Sequence, residues 1–308
     1  MNSLKKLFAS GIAVAFLSPF FYSCGSNEGT GESDGSDTIE TESGGMTKSG
    51  GGAQNIFYAI PSPIELAQLI QKAGATYNKD LLNPIDNVSK YNSNSSKALN
   101  LGVYGADLSY TSVFDNNTQE SILYLGCTRK LAESLGVGNA FDEKTVDRIQ
   151  ANTGKKDSLL SIISDSYMST DEMLKESQRE NASALVIAGG YIEGIYLGTQ
   201  LAKASKNGAD IVNRIAEQKG TLDNVIGLLS ASGSDAAVLV ILEDMKALQT
   251  IFTEVQVNTA TAASVKTDQA TKVTTIGGKI VYTVTPATFE KLTAKAAEIR
   301  TKIISGQN

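Results

Sequence analysis

Apolar side chains recur at three- and four-residue intervals through most of the chain beyond residue 56, the spacing that puts them on one face of a helix. Leu66, Leu69, Ile70, Ala73 and Tyr77 form the first such stripe, entered through Ser62-Pro63-Ile64-Glu65, a capping box with proline at the first helical position. Asn83-Pro84 breaks the chain, and a short helix through Val88 precedes the Asn/Ser run at 92–96. Further stripes predict helices over 97–114, 118–135, 143–151 with Asp142 as cap, and 157–174. After these come 210–229, interrupted at Gly220-Thr221, then 234–257, and a last helix that Thr285-Pro286 starts and Gly306 stops. In that last helix Phe289, Leu292, Ala296, Ile299 and Ile303 mark the apolar face.

Two stretches depart from this pattern. Residues 182–202, ASALVIAGGYIEGIYLGTQLA, are apolar on every side of a helix and carry one charge, Glu193. Such a helix is either the centre of a domain or a membrane span. A second S-x-x-E box, Ser177 to Glu180, separates it from the helix before. Gly190, Gly194 and Gly198 fall four apart on it and make a ridge without side chains, on which a neighbouring backbone can approach closely. Each glycine costs about 0.5–1 kcal/mol of helix stability relative to alanine, so packing has to offset it. Against a span stands Glu193 near the middle, which costs about 2.5–3.5 kcal/mol on insertion scales. The other departure, 259–284, is Thr- and Val-rich; within it 273–276 and 280–284 flank Gly277-Gly278-Lys279, predicting a β-hairpin. The expected fold is therefore all-α, a bundle or array of about nine or ten helices over 56–308, with a small β-hairpin before the C-terminal helix.

The first 24 residues change the picture from fold to address. Lys5 and Lys6 precede a short apolar segment over 7–17, and Phe21-Tyr22-Ser23-Cys24 closes it. A basic start followed by an apolar run too short to span a bilayer is a secretory signal, here 1–23. The ending resembles the lipobox of bacterial lipoproteins, in which the cysteine is lipidated and becomes the first mature residue. That resemblance implies lipid attachment at Cys24. The tract 24–55 then carries Glu28, Glu32, Asp34, Asp37, Glu40 and Glu42 against Lys48 alone, amid Gly, Ser and Thr. It cannot bury apolar area and reads as a disordered tether with a span of about 30 Å. Acids soon after a lipidated cysteine resemble surface-export signals of Bacteroidota lipoproteins. Asp37-Thr38-Ile39 and Asp157-Ser158-Leu159 are similar to the O-glycosylation pattern of that phylum. The stretches 99–112 (LNLGVYGADLSYTS) and 188–202 resemble uncharacterised helical lipoproteins of the same group, which implies no known activity and no catalytic residue. The implied location is the outer membrane, on its periplasmic or surface face.

Composition narrows the chemistry. There is no histidine among the 308 residues, which removes Ser-His-Asp and Cys-His catalysis and histidine metal sites. No phosphate-binding loop, dinucleotide fingerprint or calcium loop is present. With Cys24 lipidated, Cys127 is left alone and no intramolecular disulfide can form; its place beside Tyr124, Leu131 and Leu135 makes it a small buried hydrophobe. The net charge of −6 offers nothing to nucleic acid. No catalytic residue, metal or cofactor is expected. Glu193 is the residue to explain. Either it hydrogen-bonds a Tyr or Lys of a neighbouring helix, or it anchors the polar end of a ligand in a cavity opened at Gly190 and Gly194. The first alternative goes with a non-enzymatic module, held to the membrane by its lipid and bound to an envelope protein. The second goes with a carrier or sensor of a small apolar or amphipathic ligand.

Overall fold

Capping side chains set where the helices begin. Ser93 accepts from the Ser96 amide at 3.0 Å and opens α1, Asn94–Val113. Asp142 accepts from the Thr145 amide at 2.7 Å and opens α3, Glu143–Ala151. Asp235 receives the amides of Ala237 and Val238 at the head of α8, Ala236–Phe252. Thr285 receives the Thr288 amide at the head of α9, Pro286–Ser305, which ends on Gly306 at φ 74°. Each such cap contributes about 1 kcal/mol. The others are α2, Thr118–Ser134; α4, Lys156–Glu176; α5, Glu180–Ala204; α6, Gly208–Glu217; and α7, Lys219–Ala231.

The structure is a computed structural model that describes residues 67–68, 71–72, 74–114, 118–152, 154–205, 208–259, 264–268, 273–277 and 280–306. The signal at 1–23, Cys24, the tether over 24–55 and the Ser62 capping box lie outside the described residues. Residues 67–68 and 71–72 are helical, in keeping with the first stripe. Short 3-10 turns, Lys79–Leu81 and Ile85–Lys90, lead into α1. The fold is the expected all-α bundle, with nine α-helices among the described residues and a small antiparallel β element before α9.

Three local details differ from the sequence reading. Ser177 does not cap α5: its hydroxyl donates back to the Met173 carbonyl at 2.7 Å, closing α4. Gln178 then turns the chain at φ 57°, and α5 starts after Arg179 without a side-chain cap. The break within 210–229 falls at Gln218, two residues before the expected Gly220. In the β element, β1 (Gln256–Thr259) pairs with β4 (Ile280–Thr283), and β2 (Ser264–Asp268) pairs with β3 (Val273–Gly277). The antiparallel partners of β3 and β4 are thus earlier strands, and Gly277, expected in a turn, pairs with Ser264 at the end of β3. Helix α8 ends at Phe252 so that 256–259 can serve as one of those partners.

The core is built on two helices. Every residue of α1 from Ala98 to Val113 is buried, polar ones included. Helix α5 is buried along 182–202 except for the partly exposed Ile187, Tyr196 and Gln200. These two pack more extensively on each other than any other pair. Glycines make that possible. A Cβ at Gly189 would collide with the Leu99 carbonyl, and one at Gly102 would collide with the Val186 carbonyl and lie 2.6 Å from the Gly190 amide nitrogen. Helix α2 packs on α1, α9 and α6 on α5, and α7 on α8. Among the described residues no helix is long and apolar enough to cross a membrane.

Candidate functional site

A carboxylate in the middle of an apolar helix must find a partner or lose its charge, because an unpaired buried ion costs several kcal/mol. Glu193 is 0 % exposed, and its partner is Arg300, from the last full turns of α9. Arg300 donates from Nε to Oε2 at 3.0 Å and from Nη2 to Oε1 at 3.1 Å, a two-pronged pairing that fixes the guanidinium plane. The same Nη2 donates to the Leu81 carbonyl at 2.9 Å, at the end of the first 3-10 turn. The guanidinium carbon sits 4.3 Å from the centre of the Tyr196 ring, one turn along α5. So the partner of Glu193 is an arginine, not the tyrosine or lysine expected, and the tyrosine that joins it, Tyr196, comes from Glu193's own helix and lies against the cation.

A second carboxyl completes the group. Asp107, in the middle of α1, is also 0 % exposed. Its Oδ2 accepts the Asn83 backbone amide at 3.1 Å, whereas its Oδ1 has no hydrogen-bond donor. Burial, and then the negative charge of Glu193, push the Asp107 carboxyl well above the usual carboxylate range; Arg300 and the Asn83 amide only partly oppose this. Burial alone would weaken the Arg300 guanidinium's hold on its proton, but Glu193 outweighs it and Arg300 stays cationic.

Asparagine and tyrosine side chains tie this cluster to the segment before α1. Asn83 donates from Nδ2 to the Tyr91 hydroxyl at 3.0 Å, and its carbonyl accepts from Tyr124 of α2 at 3.1 Å. Asn100 of α1 donates to the Ile303 carbonyl at 3.1 Å, and Tyr91 donates to the Ile304 carbonyl at 3.3 Å. Those carbonyls belong to the last turn of α9, where the helix runs out of its own following amides; the Ile303 carbonyl also accepts the Gly306 amide at 3.3 Å. The polar network therefore seats the C-terminal helix on α1 and α5 and threads the 3-10 segment between them.

The residues singled out from the sequence fall as follows. Glu193 lies at the centre of the cluster. Gly190 is buried with its amide nitrogen facing the glycine gap of α1, and Gly194 and Gly198 are buried in α5. Cys24 is outside the described residues. Cys127 is a buried free thiol, 3.8 Å from the Ile85 carbonyl, and burial pushes its pKa up to about 11. Asp107 and Arg300 are not among those residues. Both carried a signal: Asp107 is the one charge in 98–113, and Arg300 sits four residues after Ala296 on the apolar face of α9.

Both oxygens of Glu193 are occupied by Arg300, and among the described residues no group of three His, Cys, Asp or Glu side chains is placed to bind a metal. Comparison of the chain with protein-family models, with curated proteins and with solved structures finds no match.

Proposed function

We propose that the chain is a lipid-anchored lipoprotein of the bacterial cell envelope, whose helical domain is a non-enzymatic module that binds or scaffolds an envelope partner. The observation that carries this reading is the order of features at the N-terminus. Lys5-Lys6, the apolar run over 7–17, Cys24 and the acidic Gly/Ser tract follow one another as an anchor and tether require. Glu193 supports the module over the ligand carrier. A carrier would open the carboxylate to a ligand cavity, and here Glu193 is fully buried and held two-pronged by Arg300.

Replacement of the anchor tests the reading. Cys24→Ser is expected to release the protein from membranes and to abolish labelling by a fatty-acid analogue. Membrane retention equal to the parent protein's would overturn the lipoprotein assignment. Crosslinking of the anchored protein in its own cells, followed by mass spectrometry of proteins and lipids, separates the two roles. A single recurrent protein partner supports the module, whereas a co-purifying apolar small molecule supports the carrier.

A further inference from the structure

The Asp107–Glu193–Arg300 cluster holds two carboxyl groups against one guanidinium, all three buried. With both carboxyls ionised, the cluster would carry an uncompensated negative charge inside the bundle. It would also leave Asp107 Oδ1 as a buried acceptor with no donor. One proton removes both faults. Placed on Oδ1, it turns the orphan acceptor into a donor, and Glu193 is the carboxylate within side-chain hydrogen-bonding reach of Asp107; the cluster then becomes neutral overall.

We propose that Asp107 stands in the folded protein as the neutral acid, its Oδ1 proton donated to Glu193, and that this shared proton is a pH-operated latch on helix α9. Loss of the proton would put two like charges side by side and weaken the Glu193–Arg300 contact that seats α9. The remaining groups around Asp107 do not compete for this role. The phenols of Tyr91, Tyr104, Tyr110, Tyr124 and Tyr167 and the Cys127 thiol are all raised by burial, Tyr110 to about 12 and Cys127 to about 11. Tyr196, against Arg300, is raised by burial as well. Burial thus holds all of these groups in their neutral forms above their ordinary values. In direct reach of Asp107 the charges are those of Glu193 on α5 and Arg300 on α9.

The sign of the effect follows from where the proton is held more tightly. Below the ordinary value of 3.8, folded and unfolded chains both keep the Asp107 proton, so pH has no effect through this group. Above it the unfolded chain releases the proton and the folded chain retains it. The unfolding equilibrium then shifts toward the unfolded state by up to about tenfold per pH unit, until the raised value of the folded carboxyl is reached. Stability is fully present at low pH and declines as pH rises.

Asp107→Asn copies the protonated acid, with an amide to donate to Glu193 and an oxygen to accept from Asn83. Denaturant unfolding of the full chain is expected to show the variant more resistant than the parent at pH 8 and level with it near pH 4. At pH 8, amide hydrogen exchange in α9 is expected to be slower in the variant. A variant less stable than the parent by the same factor at both pH values would overturn the proposal. If the variant fails to fold, the parent protein still decides. Carbon-13 labelling of aspartate should show, by infrared absorption at pH 7, one neutral carboxylic acid C=O band. Absence of that band, or an Asp107 carboxyl carbon that titrates near 3.8 by NMR, would overturn the latch.

Discussion

Helix α5 meets its two main neighbours by opposite means. Toward α1 it presents Gly189 and Gly190, and the contact is backbone against backbone at Leu99, Gly102 and Val186. Toward α9 it presents Glu193, and the contact is an ion pair with Arg300 bounded by the Tyr196 ring. The first interface gains from closeness: side chains are absent, so dispersion contacts are made by the main chain itself. The second gains little net free energy, because desolvating two charges offsets most of their attraction. What it fixes is position. A two-pronged arginine that also holds the Leu81 carbonyl admits one rotation and one depth of α9, which an apolar stripe alone would leave free to slide. A glycine face decides how near two helices come, and a buried ion pair decides in what register they meet.

The glycine interface should be the harder to disturb without collapse. Gly189→Ala places a methyl group on the Leu99 carbonyl, and Gly102→Ala places one on the Val186 carbonyl. Neither obstacle is a flexible side chain, so the helices must part. The loss in unfolding free energy is expected at or above the upper end of the ~1–3 kcal/mol typical of overpacking. Gly227 of α7 gives the contrast, since nothing lies within 4 Å of its would-be Cβ. There, Gly227→Ala is expected to stabilise by about 0.5–1 kcal/mol, through lower backbone entropy in the unfolded chain. Urea unfolding of the three variants checks the signs. Destabilisation by Gly227→Ala, or none by Gly189→Ala, would break the reading of close approach.

The ion-pair interface should answer differently to one change and to two. Arg300→Met strands Glu193 without its cation and should cost about 3–5 kcal/mol. Adding Glu193→Leu removes the stranded charge, so the double variant should be more stable than the single one. Thermal or denaturant midpoints of the two variants test this. Costs that simply add would show that each side chain acts through separate contacts, and the register argument would fail.

Much of this was legible in the sequence. Helix stripes, the caps at Asp142 and Thr285, the stop at Gly306 and the importance of Glu193 all follow from local spacing, because helices are closed by bonds within a few residues. What local spacing does not give depends on distant partners. Asp107 gives the same signal as Glu193, a lone carboxylate in a buried helix. It was masked because Ser109, Thr111 and Ser112 make its surroundings look solvated, although their hydroxyls bond to carbonyls of their own helix. Arg300 was masked by the charges around it in α9, which point to solvent. The β element shows the same limit. Gly277-Gly278-Lys279 has turn chemistry, and the Thr- and Val-rich composition extends back over β2, yet local spacing cannot say that β3 and β4 pair with earlier strands and not with each other. Ser177 also reads correctly as a helix boundary, and only the direction of its hydrogen bond, back toward Met173, assigns it to the end of α4.

The smallest test concerns the outer edge of the ion pair. Tyr196 is only partly buried, and its ring faces the Arg300 guanidinium, so it shields the pair from water as well as attracting the cation. Such contacts contribute about 0.5–2 kcal/mol, more as water is excluded. Tyr196→Leu keeps an apolar cover and removes the ring's negative face, and should cost an amount in that range. The same substitution made in the Arg300→Met background has no cation to lose, so its cost there should fall close to zero. The difference between the two costs, read from a double-mutant cycle, isolates the ring–cation term from mere burial. Equal costs in both backgrounds would mean that Tyr196 acts as packing alone, and the polar side of α5 would then rest on Glu193 and Arg300 without its aromatic lid.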